Sequence, residues 1–303
     1  MRNTERVIKS PGAGIGVSSD RAEKTADGPG RAGRESDAPD RKVILVVSFG
    51  TSYTKSRENA IGSVEAAVRT AFPEYEVQRA FTSQVIIDKL REREGEVIDN
   101  VEEALERLAA GGVRELIIQP THVISGFEYD DMRAAAQPYE KLFPSVSYGK
   151  PLLSDMCDYQ ELAAALEKAA KNYDREKNAI VFMGHGTEHP ANAIYTELAE
   201  YLKSSGYHNY YIGTVEAVPS LEDVMDLVGE ETYENVILLP LMIVAGDHAI
   251  NDMAGEEENS WKCRFESRGY KVECILKGLG EYPDIQRMFV RHIREAAASG
   301  REL

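Results

Sequence analysis

The 303-residue chain carries 35 Lys and Arg against 51 Asp and Glu, a formal net charge of -16, and 43% of its residues are hydrophobic. That content supports a sizeable core in one or two domains, and no apolar run approaches the roughly 20 residues that span a bilayer. Residues 1–40 hold seven basic and seven acidic side chains, so the excess acid belongs to the remainder and argues against a nucleic-acid partner, which needs a basic footprint.

Residues 1–40 are rich in Gly, Ser, Asp and Arg, lack an apolar secretion signal, and are expected to be disordered. Gly12-Ala13-Gly14-Ile15-Gly16 resembles a dinucleotide loop only superficially, because no strand precedes it and no helix follows. Cys157, Cys263 and Cys274 form no CxxC spacing, which points to a reducing compartment, the cytoplasm.

From Lys42 the pattern is α/β. The run 43–47 predicts a strand buried on both faces, ending in Ser48-Phe49-Gly50-Thr51-Ser52. A helix is expected over 55–71 and a strand over 75–81. One long helical zone then carries Ile86, Ile87, Leu90, Val97, Val101, Leu105 and Leu108 at helical intervals. The third strand, 115–119, breaks into Pro120-Thr121-His122, and a helix over 129–142 leads to a fourth strand at 146–148.

The second half repeats this plan. A helix over 158–172 precedes the strand from Ala179, which ends at Gly184-His185-Gly186. The strand 210–215 delivers Glu216, and the strand from Val236 breaks at Pro240 as the third broke at Pro120. Gly246-Asp247-His248 follows, with Glu128 in the place of His248 in the first half. A last strand (272–276) and helix (285–298) complete the chain. The expectation is two similar Rossmann-like lobes built from duplicated parallel-sheet units, with the active site in the cleft between them. The lobes would span 41–155 and 156–280, with the C-terminal helix 281–303 a candidate to pack back on the first.

Three strand ends in the second lobe thus present His185, Glu216 and His248, at the edge where open α/β sheets bind ligands. Two imidazoles and a carboxylate suit a divalent transition metal and leave coordination positions open. His185 and Glu216 are the candidate catalytic groups. Among the other histidines, His189 reads as a neighbour of the site, His122 (equivalent to Met242 in the second copy) as structural or cleft-facing, and His208 and His292 as surface bystanders. Phe49, Gly50, Thr51 and Ser52 open a helix, so their backbone N–H groups suit an anion. With Lys55, Arg57, Lys89 and His122 they make up the candidate substrate contacts; Arg91 and Arg133 are further basic candidates. Glu256-Glu257-Glu258 reads as an exposed turn, anchored by Trp261.

Several motifs occur together in a fixed order: Ser48-Phe49-Gly50-Thr51-Ser52, Gln119-Pro120-Thr121-His122, Met183-Gly184-His185-Gly186-Thr187, the segment 246–255 and Ser260-Trp261-Lys262. From Lys42 onward the chain therefore resembles the anaerobic sirohydrochlorin cobaltochelatases of the CbiK type. The resemblance implies a class II chelatase fold similar to ferrochelatase. It also implies insertion of Co²⁺ into sirohydrochlorin or precorrin-2 in anaerobic cobalamin biosynthesis, without ATP or an organic cofactor, with His185, Glu216 and His248 on the metal. Some members are exported and bind haem, which the absence of an export signal does not support here. The resemblance suggests a homo-oligomer, although duplicated lobes complete a cleft within one chain and the site does not require one. The competing readings are a chelatase for Fe²⁺ or Ni²⁺, and a non-catalytic carrier of cobalt or tetrapyrrole. A phosphotransfer histidine is set aside because Gly184, not Arg, precedes His185.

Overall fold

The computed structural model describes residues 41–300. The segment 1–40, with its expected disorder and Gly12-Ala13-Gly14 stretch, and residues 301–303 lie outside the described residues.

Strand β1 (Arg41–Ser48) is buried from Val43 onward and pairs in parallel with β2 (Glu76–Phe81) and β3 (Val113–Pro120). β4 (Ser145–Tyr148) extends the sheet past β3, giving the order β2-β1-β3-β4. The second sheet uses β5 (Asn178–Gly184), β6 (Tyr210–Thr214), β7 (Asn235–Pro240) and β8 (Lys271–Cys274) in the order β6-β5-β7-β8, again all parallel. Each sheet places its first strand between its second and third, so the duplication seen in the sequence is a duplication of topology.

Parallel neighbours need crossovers. In the first half α1 (Thr54–Ser56) runs through a π-helical turn (Arg57–Ile61) into α2 (Gly62–Ala71), and α3 (Gln84–Glu94), α4 (Val101–Ala110) and α5 (Phe127–Ala136) follow. In the second, α6 (Met156–Ala170), α7 (Ala193–Ser204), α8 (Leu221–Gly229), α9 (Trp261–Ser267) and α10 (Pro283–Ser299) do the same work. No helix among the described residues is long and apolar enough to cross a membrane.

Alternate residues of each central strand feed two different cores, as burial on both faces requires. Ile44, Val46 and Ile117 of one sheet and Ile180, Phe182 and Ile237 of the other share a single apolar layer, filled by Val64, Leu162, Leu198 and Phe289 from α2, α6, α7 and α10. The outward faces have cores of their own: Val43, Leu45 and Leu116 meet Leu105, Leu108 and Met132, while Val181 and Leu238 meet Val224, Trp261 and Phe265. The last helix, α10, lies against α2, α6, β3 and β4, so the chain ends back on the first sheet.

Three sequence expectations need correction. The long helical zone is two helices, because Gly95 ends α3 in the left-handed region (φ 66°) and Asn100 starts α4 with a capping box to Glu103. Val97 falls in the break and is 71% exposed. The helix expected to 142 ends at Ala136 and tightens into a 3₁₀ segment, Gln137–Leu142, containing Pro138. His292 is not at the surface: it is fully buried, with Nε2 2.8 Å from Asp158 Oδ1 and Nδ1 3.2 Å from the Lys150 carbonyl.

Candidate metal centre

Strand β5 is buried along its whole length and ends in a turn that only glycine permits on both sides of His185. A Cβ on Gly184 would sit 2.4 Å from the Tyr195 ring. Gly186 has φ +84°, and a Cβ there would come within 2.8 Å of Thr214 and 2.9 Å of the Ala217 nitrogen. This close approach fastens the turn to the end of β6: Val215 N–H donates to the Gly184 carbonyl (3.0 Å) and Glu216 N–H to the His185 carbonyl (2.9 Å). The first two candidate ligands are thereby held together by backbone.

The third arrives from β7. Leu241 N–H continues the ladder to the Met183 carbonyl (2.7 Å), and the chain then turns through Gly246 into a π-helical turn, Ala249–Met253, that starts just after His248. π-Turns recur at functional sites because they displace a side chain from the ordinary helical row. The rings of His185 and His248 end 4.7 Å apart at 79°, and with Glu216 they offer ligand atoms that all lie within 4.8 Å of one another.

Their hydrogen bonds fix the tautomers. His185 Nδ1 is 2.9 Å from the Gly186 carbonyl, which can only accept, so Nδ1 carries the proton and Nε2 keeps its lone pair. His248 Nδ1 donates in the same way to Asp252 Oδ2 at 2.7 Å. Each imidazole thus keeps one unprotonated nitrogen, and together with the Glu216 carboxylate they form a candidate three-ligand set for a divalent metal that would leave further coordination positions open.

These groups lie in a cavity of about 630 Å³ whose walls come from the carboxyl edges of both sheets. The first sheet contributes Phe49 to Tyr53, Thr121 to Ile124 and Gly126 to Tyr129; the second contributes His185 to Glu188, Glu216, Leu241 to Val244 and Gly246 to His248. Much of the wall is apolar, with Ile61, Ile86, Ile124, Ile243 and Val244 inside and the half-exposed Phe49 and Phe127 beside them. Its charged lining is Glu128, Glu188, Glu216 and Asp247 against Lys89, a balance that draws cations. Burial raises the Glu128 pKa; nearby His185 lowers it, and Glu216 and Asp131 raise it further. The two walls are tied on both sides. Tyr53 Oη donates to Asp247 Oδ1 (3.1 Å) and Ser56 Oγ to the Ala245 carbonyl (2.8 Å), while His189 packs edge-on against Phe127 and lies 3.3 Å from Asp130. A separate polar cavity of about 690 Å³ at the amino edge of the second sheet, lined by Arg175, Lys177 and Lys271 among others, contains none of the three candidate ligands.

A family model described as cobalt chelatase (CbiK) matches residues 42–298. The chain belongs to the CbiK cobalt chelatase family. It is 41% identical over 256 residues to the sirohydrochlorin cobaltochelatase of Salmonella typhimurium, covering 84% of this chain and 96% of the relative. It is 31% identical over 261 residues to the sirohydrochlorin cobaltochelatase CbiKC of Nitratidesulfovibrio vulgaris, covering 86% and 92%. The solved structure of SirB from Bacillus subtilis with Fe³⁺ shares the fold, with TM-score 0.61 and 16% identity over 86% of this chain and 98% of that one.

Within this CbiK fold the other candidates separate. Phe49, Gly50, Thr51, Ser52, Lys89 and His122 line the cavity. Arg57 does not: it is buried, and its guanidinium donates to Glu94 and Glu96 at 2.7 Å each and to the Thr51 carbonyl at 3.4 Å. The acid pair flanking Gly95 has claimed it. Lys55 is exposed and lies outside the lining, and Arg133 stacks over the Tyr148 ring at 3.4 Å. Sequence reasoning missed Asp252 and Tyr53. The i,i+4 spacing from His248 signals Asp252; nothing local signals the reach of Tyr53 across 194 positions to Asp247.

Proposed function

We propose that this chain inserts Co²⁺ into sirohydrochlorin, or the related precorrin-2, without ATP. The observation that carries the reading is the meeting of His185, Glu216 and His248 on one wall of a largely apolar cleft in a CbiK-family chain. Co²⁺ enters as a substrate, drawn by the acidic lining, and is held by the imidazoles of His185 and His248 and the Glu216 carboxylate. A flat macrocycle lies between the walls, its apolar faces against Ile124, Ile243, Phe49 and Phe127 and its carboxylates reaching Lys89, backbone N–H groups of Phe49 to Ser52, and solvent.

Insertion replaces two pyrrole N–H protons by one divalent metal, so charge is conserved only if both protons leave. As each macrocycle nitrogen takes over the metal, a protein ligand is released, and the freed imidazole of His185 is then available to accept a pyrrole proton. Glu216, joined to the His185 turn through backbone, assists. The cytoplasm fits this reading, since Cys157, Cys263 and Cys274 are all free thiols.

The test is an anaerobic absorbance assay with sirohydrochlorin and Co²⁺, then Fe²⁺ and Ni²⁺, on wild type and His185→Ala. Multiple turnovers above the uncatalysed rate, lost in the variant and fastest with Co²⁺, are expected. Binding that stops at one equivalent overturns catalysis and leaves a carrier; a faster rate with Fe²⁺ or Ni²⁺ reassigns the metal.

A further inference from the structure

The first-sheet wall carries one polar group that the metal chemistry leaves unused. His122 follows β3 through Pro120 and Thr121, lines the cavity, and its side chain is only 7% exposed. Neither ring nitrogen has a hydrogen-bond partner among the described residues. The nearest charged group, Glu128 Oε2, is 3.9 Å from Nε2, beyond hydrogen-bond reach, and Tyr129 meets the ring only edge-on at 6.5 Å. Burial drives the imidazole pKa down to about 4, so at neutral pH it offers one N–H and one lone pair. Unpaired buried polar atoms are rare because they are costly, and one set in a cavity wall calls for a partner in the ligand.

The chemistry of the macrocycle says which partner. A metal-free tetrapyrrole carries inner N–H donors; its metal complex carries none. When the ring bends to aim nitrogen lone pairs at a metal on one face, its remaining N–H bonds tilt out of the other. In this cleft the metal ligands come from the second sheet and His122 from the first. Building on the tetrapyrrole reading, we propose that the lone pair of His122 accepts a hydrogen bond from an inner N–H on the face away from His185, Glu216 and His248. That contact holds the bent, unmetallated substrate, and metal insertion removes its donor. The imidazole N–H has the Glu128 carboxylate beside it to turn toward. The site therefore distinguishes substrate from product by a group that touches no metal.

The test compares His122→Leu and His122→Gln with wild type in anaerobic absorbance titrations against sirohydrochlorin and, separately, cobalt-sirohydrochlorin. The leucine variant is expected to bind the metal-free ring about tenfold more weakly, as loss of one buried hydrogen bond does, and the metallated ring within twofold of wild type. The glutamine variant, whose side-chain carbonyl also accepts, recovers most of the loss. Co²⁺ binding without tetrapyrrole stays unchanged in both. Equal weakening toward the two rings, or none toward either, overturns the proposal. If instead the wild-type protein neither binds nor metallates sirohydrochlorin, the chelatase reading itself has failed.

Discussion

His248 donates its Nδ1 proton to Asp252 Oδ2 across 2.7 Å, from the start of a π-helical turn to its fourth residue. The carboxylate fixes the tautomer, restrains the ring that lies 4.7 Å from His185, and would make the imidazole a stronger donor to a metal. Asp252→Ala should therefore weaken Co²⁺ binding by roughly 10- to 100-fold without removing a ligand. Asp252→Asn, whose carbonyl still accepts from Nδ1, should recover part of it. Competition titration against a chromogenic chelator reads both. An alanine variant with wild-type affinity would show that the π-turn alone positions His248.

Gly186 makes a sharper test of the His185 turn. Its positive φ and the 2.8 Å approach to Thr214 leave no room for a methyl group on either ground. Gly186→Ala should cost about 1–3 kcal/mol in stability and lower kcat by at least tenfold, since the strain is relieved only by moving His185 away from Glu216. Thermal unfolding and the insertion assay together check this; an active variant with unchanged melting temperature contradicts it.

What the sequence reveals and what it hides follow from the range of the interactions. His185, Glu216 and His248 stand immediately after apolar runs, and a parallel sheet brings consecutive strand ends to one edge, so their convergence was a local inference multiplied by topology. The duplicated order of strands was readable for the same reason. Arg57 looked like cleft lining because it follows the loop 49–53, which is, yet Glu94 and Glu96, nearly 40 positions away, hold it inside the lobe. His292 sits between arginines in the sequence and still becomes buried, because α10 returns to the first sheet and meets Asp158. Val97 kept the helical spacing across a break that Gly95 alone announced. Long-range partners, not composition, decide such positions.

The tie between Tyr53 and Asp247 joins the walls next to His248. Removing only the hydroxyl tests whether it matters for metal. Tyr53→Phe should raise the Co²⁺ dissociation constant several-fold, the worth of one hydrogen bond of about 1 kcal/mol, while leaving the fold's melting temperature nearly unchanged. Isothermal titration of wild type and variant decides; equal affinities would confine the tie to closing the cleft.

The buried Asp158 predicts how the protein meets acid. Burial pushes its carboxyl up, but hydrogen bonds from His292 and Arg291, the His292 charge and the Ser154 N–H outweigh that and bring the pKa down to about 2 from an ordinary 3.8. The group joins the start of α6 to α10, through His292 at 2.8 Å and Arg291 at 2.5 Å, while α10 itself packs on β3 and β4. A carboxylate whose folded pKa is depressed contributes stability that is fully present above the unfolded value and disappears as pH falls through the folded one. The wild-type protein should therefore keep this contribution down to about pH 4 and lose it between there and about pH 2. Asp158→Asn removes the charge at every pH and takes the carboxylate from the buried His292, while Arg291 keeps Glu161 and Glu295, lowering stability by about 3 kcal/mol at neutral pH. Chemical unfolding of both proteins from pH 7 to pH 2 measures the difference between them. That difference should shrink across this acid window alone, and a gap that stays constant to pH 2 would mean that the charge on Asp158 does not hold α10 in place.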